Sequence, residues 1–281
     1  MASPFTSAQA ARERVAARLK DVRIDAELTG RELAARCGWN PSKASRIENA
    51  LTGPTAADIR AWCEACDASD QAAEIITASR HAESMYINWR RMHRTGMTSA
   101  QLEIVPLFEE SRRFRAYCSN TVPGFFQTLD YAAAILHMFA QFQGTPDDAD
   151  QAAAARISRS QAIYRPRNQV AVLIEEHVLR HRFASDAVMA DQLDYLLEVM
   201  SLPNVSLGVV PLGARRPLWG LEAFYIFDDR RVNVETLTAA VNIVSKGEIA
   251  DYCRAFAEMA KIAVYGAKAR TLLEAAKDAL G

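Results

Sequence analysis

Residues 29–50 read Thr29-Gly-Arg-Glu-Leu-Ala-Ala-Arg-Cys-Gly-Trp-Asn-Pro-Ser-Lys-Ala-Ser-Arg-Ile-Glu-Asn-Ala50, and this stretch decides the fold of the N-terminal part. The Leu33-Ala34 pair is the apolar face of a short first helix. Gly38 follows at the turn, where a left-handed backbone costs little because no Cβ atom is present. The Asn40-Pro41 pair has the residue types of an N-cap and a first helical position. The stretch therefore predicts two short helices joined by a tight turn.

The second of these helices has two different faces. Ala44 and Ile47, three residues apart, are expected to face inward. Five polar residues are left on the outer face: Ser42, Lys43, Ser45, Arg46 and Asn49. A buried structural helix would not leave Lys43 and Arg46 there without acidic partners. A short helix with hydroxyl, basic and amide side chains on its free face is suited to the major groove of DNA.

The whole-chain composition is that of an ordinary globular protein. The 281 residues are 50% hydrophobic and 24% charged, and the length is sufficient for two domains. The net charge of −1 produces no overall attraction to nucleic acid or to a membrane. Residues 1–55 carry nine Lys and Arg against six Asp and Glu, a local charge of +3. This local excess is compatible with DNA binding by the N-terminal part.

Three features indicate a cytoplasmic protein. The five cysteines are odd in number and scattered, which fits a reducing compartment better than a disulfide framework. No apolar run approaches the roughly 18 residues of a membrane span. The first seven residues lack the basic region and apolar core of a secretory signal. We expect a cytoplasmic protein without a membrane partner.

Hydrophobic periodicity predicts a compact head of five helices. The first covers residues 8–27, with Val15, Ala16, Leu19, Val22 and Ile24 facing inward. Thr29 and Glu32 form a capping box for the second. The fourth covers 56–68, and the fifth extends from 70 to about 94. We expect a DNA-binding domain over residues 1–82 and a connecting segment over 83–98.

Residues 99–281 mix helices with fewer strands, which predicts an α+β domain with a small sheet in a mainly helical chain. The predicted helices cover 99–111, 128–141, 145–164, 185–200 and 247–280, the last with a break at Gly266. The predicted strands cover 114–118, 169–174, 204–211, 222–227 and 231–235, the last two forming a hairpin around residues 228–230. We expect this domain to mediate regulation and dimerisation.

Both parts resemble known families. Residues 10–80 resemble the XRE family of lambda-repressor-like helix-turn-helix proteins, most specifically at Ser45-Arg-Ile-Glu-Asn49. Residues 99–270 resemble the uncharacterised domain that follows such heads in actinobacterial regulators of the WhiJ type. The second likeness rests on five stretches: Val122-Pro-Gly-Phe-Phe-Gln-Thr128-Leu-Asp-Tyr, Arg156-Ile-Ser-Arg159, Glu175-Glu-His-Val-Leu-Arg180, Gln192-Leu-Asp-Tyr-Leu196 and Pro203-Asn-Val-Ser-Leu-Gly-Val-Val-Pro211.

The resemblance implies a transcription factor that binds a double-stranded DNA operator and is often encoded beside a small acidic partner protein. It implies base contacts for Ser42 and Arg46. It implies phosphate contacts for the polar residues Thr29, Asn40, Lys43 and Asn49. Arginine can contact guanine through two hydrogen bonds, which discriminate against the wrong base by about 1–3 kcal/mol.

Several other motifs suggest redox, metal-binding or catalytic sites but are better explained as structural features. Cys63 and Cys66 are expected inside a helix beside Trp62, whereas a redox-active pair would open a helix. Glu175, His177 and His181 suggest a metal site, but no further ligand follows at a usual spacing and arginines crowd the stretch. Neither a Gly-x-Ser-x-Gly elbow nor a phosphate-binding loop occurs. We therefore expect no enzymatic activity, no cofactor and no metal.

Two segments of the second domain are candidates for binding a partner protein. Phe125 and Phe126 follow Pro-Gly and are either core residues or exposed anchors on a turn. Trp219, with Arg215 and Arg216 nearby, combines residue types that are enriched at interface hot spots. This second segment is alternatively a lid over the sheet.

The combined prediction is a DNA-binding transcription regulator that acts as a homodimer, because one head alone offers a small interface. An alternative is an antitoxin-like protein that holds a partner and regulates its own expression. A further alternative is a regulator whose second domain senses a small molecule, since apolar pockets leave no motif. An enzyme with an appended head is the remaining class, and the missing catalytic motifs argue against it.

Overall fold

The computed structural model describes the backbone of residues 4–281 and the side chains from residue 8 onward. Contacts within the chain divide it into two compact units, Met1–Ile87 and Asn88–Gly281. We call these the first unit and the second unit. The division falls inside the segment 83–98, and residues 88–98 belong to the second unit. The predicted fold class is confirmed: the chain is mainly helical, with a helical first unit and an α+β second unit.

The described part of the first unit contains five α-helices. They are α1 (Pro4–Asp25), α2 (Gly30–Arg36), α3 (Pro41–Glu48), α4 (Ala56–Ala65) and α5 (Ala72–Met85), with a 3-10 turn at Ser69–Gln71 before α5. The capping box at Thr29 is confirmed, and Thr55 forms a second one ahead of α4. The prediction that the fifth helix continues to about residue 94 is wrong, because extended backbone replaces the helix after Met85.

The core of the first unit is built around Trp62, which is fully buried. Its indole Nε1 donates a hydrogen bond to the carbonyl oxygen of Leu19 on α1 at 2.9 Å, so the polar atom is satisfied. Ala44 and Ile47 are buried in the same core, as predicted. Ile24 was expected inward but is 52% exposed. It lies two positions after the buried Val22, which places it about 200° further around the helix.

The second unit contains both helices and strands. The helices are α6 (Trp89–Met92), α7 (Thr98–Glu103), α8 (Val105–Glu110), α9 (Leu129–Gln143), α10 (Ala149–Ser160), α11 (Asp186–Val199), α12 (Lys246–Ala260) and α13 (Ala267–Asp278). Short 3-10 helices lie at Gly124–Phe126, Gln161–Tyr164 and Glu176–Arg180. The strands are β1 (Tyr86–Asn88) at the junction of the units, β2 (Arg113–Cys118), β3 (Gln169–Glu175), β4 (Val205–Val210), β5 (Phe224–Phe227), β6 (Arg231–Glu235) and β7 (Ala239–Ile243).

The sheet is mixed, and six of its strands follow the order β7-β6-β5-β2-β3-β4. Strands β2, β3 and β4 pair in parallel, whereas β5, β6 and β7 pair antiparallel, and β2 joins the two halves. The predicted hairpin around residues 228–230 is confirmed as the β5–β6 connection. Strand β7 was not predicted, because its sequence Ala-Ala-Val-Asn-Ile lacks a regular polar alternation.

Two predicted helices of the second unit have different limits in the structure. The helix expected over 99–111 is divided into α7 and α8, since Pro106 cannot donate a backbone hydrogen bond inside a helix and instead stands in the first turn of α8. The helix expected over 145–164 begins at Ala149 and becomes a 3-10 turn after Ser160. Within residues 4–281, no helix combines the length and apolar character needed to cross a bilayer.

Candidate nucleic-acid interface

The turn between α2 and α3 has the geometry that its sequence predicts. Gly38 has a φ angle of +67°, in the left-handed region that favours glycine. The next residue returns toward α2, because the Trp39 amide donates to the carbonyl of Ala34 at 2.7 Å. The Asn40 side chain then accepts a hydrogen bond from the Ser42 amide at 2.9 Å and caps α3. The two helices are therefore held as a helix-turn-helix.

The outer face of α3 is polar and open to solvent. Ser42, Ser45, Arg46 and Asn49 are exposed, and Ala44 and Ile47 are buried beneath them. Among the residues that the structure describes, the guanidinium of Arg46 has neither a hydrogen-bond acceptor nor an acidic partner. An unpaired cation on an exposed helix face is available to an external hydrogen-bond acceptor.

Lys43 differs from Arg46, and the expectation that it lacks an acidic partner is wrong. Its Nζ lies 2.5 Å from Oδ1 of Asp58 on α4 and 4.2 Å from the centre of the Trp39 ring. Burial alone would raise the pKa of Asp58, but the Lys43 ammonium and hydrogen bonds from Thr55 hold it below the ordinary value. Packing of the helices brings these residues together across 15 positions of sequence. Lys43 therefore connects α3 to α4.

The other side chains expected at phosphates each have a local hydrogen bond. The Thr29 hydroxyl accepts from the Glu32 amide at 3.3 Å, and the Asn40 side chain caps α3. The Asn49 side chain donates to the carbonyl of Ser45 at 2.8 Å. All three residues with predicted phosphate contacts are exposed, so these local bonds leave their other polar atoms open to solvent. Their phosphate contacts stay a prediction.

Arg23 is a residue that the sequence did not single out. Its Nε lies 2.5 Å from the Glu48 carboxylate at the end of α3, and its Nη1 donates to the carbonyl of Leu28. Both side chains of the ion pair are largely buried. The pair fixes the C-terminal end of α3 to α1 and thereby orients the exposed face. The separation of 25 residues leaves no local signal from which this contact could be predicted.

In the second unit, the interpretation of Phe125 and Phe126 as exposed anchors is wrong. The two side chains are 2% and 0% exposed and lie in the main hydrophobic core. Their rings meet edge to face at 5.0 Å, and Phe125 also packs against Phe108. Burial of aromatic surface accounts for both residues, so neither offers a surface to a partner.

The segment around Trp219 is exposed at its tip and anchored at its base. Trp219 is 61% exposed, and Arg215 is also exposed. Arg216 instead pairs through both terminal nitrogens with the buried carboxylate of Glu175, which raises the pKa of Arg216. Arg216 was expected to offer its charge to an acidic partner, and this is wrong because the charge neutralises Glu175. Among the described residues, Arg215 and Trp219 are exposed and have no such partner.

The residues considered for metal binding or redox chemistry are used elsewhere. Glu175 also accepts a hydrogen bond from the Tyr117 hydroxyl at 2.5 Å. His177 and His181 lie near the backbone carbonyls of Ser119 and Asn120. No group of three or more His, Cys, Asp or Glu side chains in the described part of the chain is arranged to hold a metal. Burial raises the pKa of the Cys66 thiol to about 11, which disfavours a reactive thiolate.

Comparisons with known proteins describe both units. Residues 14–74 match the family described as a helix-turn-helix domain, and residues 102–275 match the domain of unknown function DUF5753. No curated protein matches the chain. A solved structure titled "Structure of TrmBL2, an archaeal chromatin protein, shows a novel mode of DNA binding" is 13% identical and has a TM-score of 0.32, covering 85% of this chain and 88% of that chain. A likeness this low carries no argument about the present chain.

Proposed function

Because this chain belongs to the DUF5753 family and carries a helix-turn-helix domain ahead of the family's domain, we propose that it is a sequence-specific, DNA-binding transcription regulator. The observation that carries the proposal is the outer face of α3, where Arg46 is exposed and unpaired among the described residues. The protein would act in the cytoplasm on double-stranded operator DNA, as a regulator and not as an enzyme. Its likeness to WhiJ-type regulators supports the same role.

Within this proposal the residues of the helix-turn-helix have different tasks. Arg46 and Ser42 read base edges from the exposed face of α3, with Ser45 beside them. Thr29, Asn40 and Asn49 approach the phosphates, which position the protein without selecting a sequence. Lys43 contributes less net charge than Arg46, since Asp58 is already its partner.

The test of the proposal is Arg46→Ala in the full chain. The DNA sequence that the wild-type protein prefers is obtained first, by sequencing the DNA that this protein retains from a random pool. We expect the variant to lose about 1–3 kcal/mol of binding free energy on that sequence and to relax the preference at one position. Arg80→Ala is the matched control, because Arg80 is also exposed but lies on α5, outside the helix-turn-helix.

Two results would contradict the assignment. Equal losses of affinity on the preferred and the random duplex would leave Arg46 a phosphate contact. Wild-type protein that retains no duplex DNA at low salt would overturn the proposed function itself, since phosphate contacts alone support measurable binding.

We further propose that the protein binds DNA as a homodimer through its second unit. A single DNA-binding module buries only about 600–1,000 Å² of protein surface, so two half-sites are needed for tight specific binding. The same unit is proposed to bind a small acidic protein at Trp219 and Arg215. Exposed tryptophan and arginine support this, because they are the residue types enriched at interface hot spots.

The partner is tested with the double variant Trp219→Ala, Arg215→Ala. We expect it to lose a small acidic protein that copurifies with the wild type, while its melting temperature stays unchanged, because both side chains are exposed. Arg216→Ala should instead lower the melting temperature, since it leaves Glu175 buried without its charge partner. A double variant that retains the partner would place the contact elsewhere on the surface.

A further inference from the structure

Arg156 and Arg159 lie three residues apart on one face of α10, and both point toward neutral amides. Arg156 donates from Nη1 to Oε1 of Gln127 at 2.7 Å and from Nε to Oε1 of Gln101 at 3.3 Å. Arg159 donates from Nη1 to the same Gln101 oxygen at 2.5 Å. Both glutamines are buried. Two guanidinium groups therefore share acceptors that carry no negative charge.

In the described part of the chain, this arrangement leaves two half-buried arginines without an ion-pair partner. Glu109 and Glu235 line cavities beside Arg159, yet neither forms an ion pair with either arginine in the described part of the chain. The Nε of Arg159 is buried, and no described residue accepts a hydrogen bond from it. Burial lowers the pKa of both groups, and the charge of Arg156 contributes to the lowering of Arg159 to about 9. Arg159 remains protonated near neutral pH, so both arginines carry a positive charge there.

The two arginines line a cavity of about 80 Å³. The walls are of mixed character: the rings of Phe108, Phe125 and Tyr225 lie among polar side chains, with the amide of Asn233 and the carboxylate of Glu235 at the strand side. Two cations against one carboxylate leave the cavity net positive. Aromatic side chains beside polar groups that can fix the orientation of a ligand are found at small-molecule sites.

We propose that this cavity of the second unit binds a small organic anion, in which a carboxylate or phosphate group on an apolar body lies between Arg156 and Arg159. Arginine is suited to this role, because its planar fork can donate two parallel hydrogen bonds to either anionic group. The apolar body lies against the phenylalanine rings. The site goes beyond the proposed regulation of transcription and does not depend on DNA binding by the first unit.

A purely structural role for the two arginines explains less. Hydrogen bonds to Gln101 and Gln127 would join α10 to α7 and to the turn after the Gly124–Phe126 helix. Neutral side chains could make that connection without the cost of burying two like charges. A structural role also does not account for the open space beside the two guanidinium groups.

The test measures binding of four probes to the full chain by calorimetry at constant ionic strength. Benzoate and phenyl phosphate carry the two anionic groups on the same apolar body, benzamide is their neutral counterpart, and inorganic phosphate lacks the body. We expect benzoate or phenyl phosphate to bind and to raise the melting temperature, and the preferred one identifies the group. Benzamide should not bind, and inorganic phosphate should bind more weakly. Binding of benzamide as tight as benzoate, or no heat with any anion, overturns the proposal.

Arg159→Met removes the charge while keeping a long apolar side chain. We expect this variant to bind the preferred anion about tenfold to hundredfold more weakly, because it lacks the hydrogen-bonded charge pair between Arg159 and the anion. Arg167→Met is the matched control, because Arg167 is an exposed arginine just before β3. Unchanged binding by folded Arg159→Met overturns the proposal.

A second measurement does not depend on the folding of a variant. In the wild-type protein, the anion should shift the Nε–Hε NMR signals of Arg156 and Arg159 and leave that of Arg167 in place. Signals of Arg156 and Arg159 that stay unchanged at saturating anion also overturn the assignment.

Discussion

At the scale of single residues, Ala50 has the most unfavourable backbone of the helix-turn-helix. It follows the C-cap of α3 with a φ angle of +54°, in the left-handed region. Its amide donates to Ile47, and the amide of Leu51 donates to Arg46, which together close the end of the helix. Glycine is the usual residue at this position of a helix end, because a Cβ atom is strained there.

We predict that Ala50→Gly raises the free energy of unfolding of the first unit. A left-handed alanine costs about 1–2 kcal/mol, and part of the gain is lost to the greater freedom of glycine in the unfolded chain, which leaves about 0.5–1 kcal/mol. Chemical denaturation followed by the fluorescence of the first unit's tryptophans measures the change. Ala35→Gly, in the exposed part of α2, is the control and should be destabilising. Destabilisation by both substitutions would contradict the left-handed assignment.

At the scale of secondary-structure elements, the ion pair of Lys43 and Asp58 joins the DNA-facing α3 to α4. We predict that Lys43→Ala lowers the free energy of unfolding by up to about 1 kcal/mol, the range for partly exposed ion pairs. A lysine that contacts a phosphate freely adds about one unit to the slope of the logarithm of the DNA-binding constant against the logarithm of the salt concentration. Lys43→Ala should change this slope by less than one unit, because Asp58 is already the counter-ion of Lys43. Arg46→Ala should leave the free energy of unfolding unchanged, because the Arg46 guanidinium has no partner among the described residues. If Lys43→Ala lowers the salt slope of DNA binding by a full unit, Lys43 is instead an independent phosphate contact.

The same ion pair predicts a pH dependence. The folded-state pKa of Asp58 lies below its unfolded value of about 3.9, so the pair stabilises the fold above that pH and loses its contribution as the pH falls through the folded value. The difference in unfolding free energy between the wild type and Lys43→Ala should therefore be full near neutral pH and shrink below about pH 4. Denaturation series at several pH values measure this. A difference that is constant down to the acid range would exclude the ion pair as its source.

At the scale of the whole molecule, the segment just after the division at Ile87 is an integral part of the second unit. The Trp89 amide and indole donate to the carbonyls of Thr238 and Thr236. His93 is buried and lies 2.8 Å from Oε1 of Gln143. Met97 is fully buried among the alanines and Leu136 that join α9 to α10. A second domain that begins at residue 99 would lack all three side chains.

We predict that a fragment of residues 88–281 folds and melts at a higher temperature than one of residues 99–281, because only the longer fragment keeps Trp89, His93 and Met97. Light scattering of the longer fragment should give the mass of a dimer, which follows from the proposed dimerisation through the second unit. A folded monomer would assign the dimer contact to the first unit. Equal melting temperatures for the two fragments would show that residues 88–98 contribute no stability.

The helix-turn-helix shows how much the sequence alone determined. The capping box at Thr29, the left-handed Gly38, the Asn40-Pro41 helix start and the buried pair Ala44 and Ile47 were all predictable. Each depends on the backbone within a few residues or on the helical period, and both are written locally in the sequence. The presence of a few strands among many helices determined the fold class for the same reason.

Tertiary structure alone decided which polar groups are free. Lys43 is neutralised by Asp58 and Arg216 by Glu175. Among the described residues, Arg46 has no partner, and Arg156 and Arg159 form no ion pair with an acidic side chain. The partners in these ion pairs are separated by 15 and 41 residues. Local periodicity places a side chain on a face of its own helix or strand but does not specify what packs against that face. The charge left for DNA or for a ligand is therefore known only when distant elements have packed together.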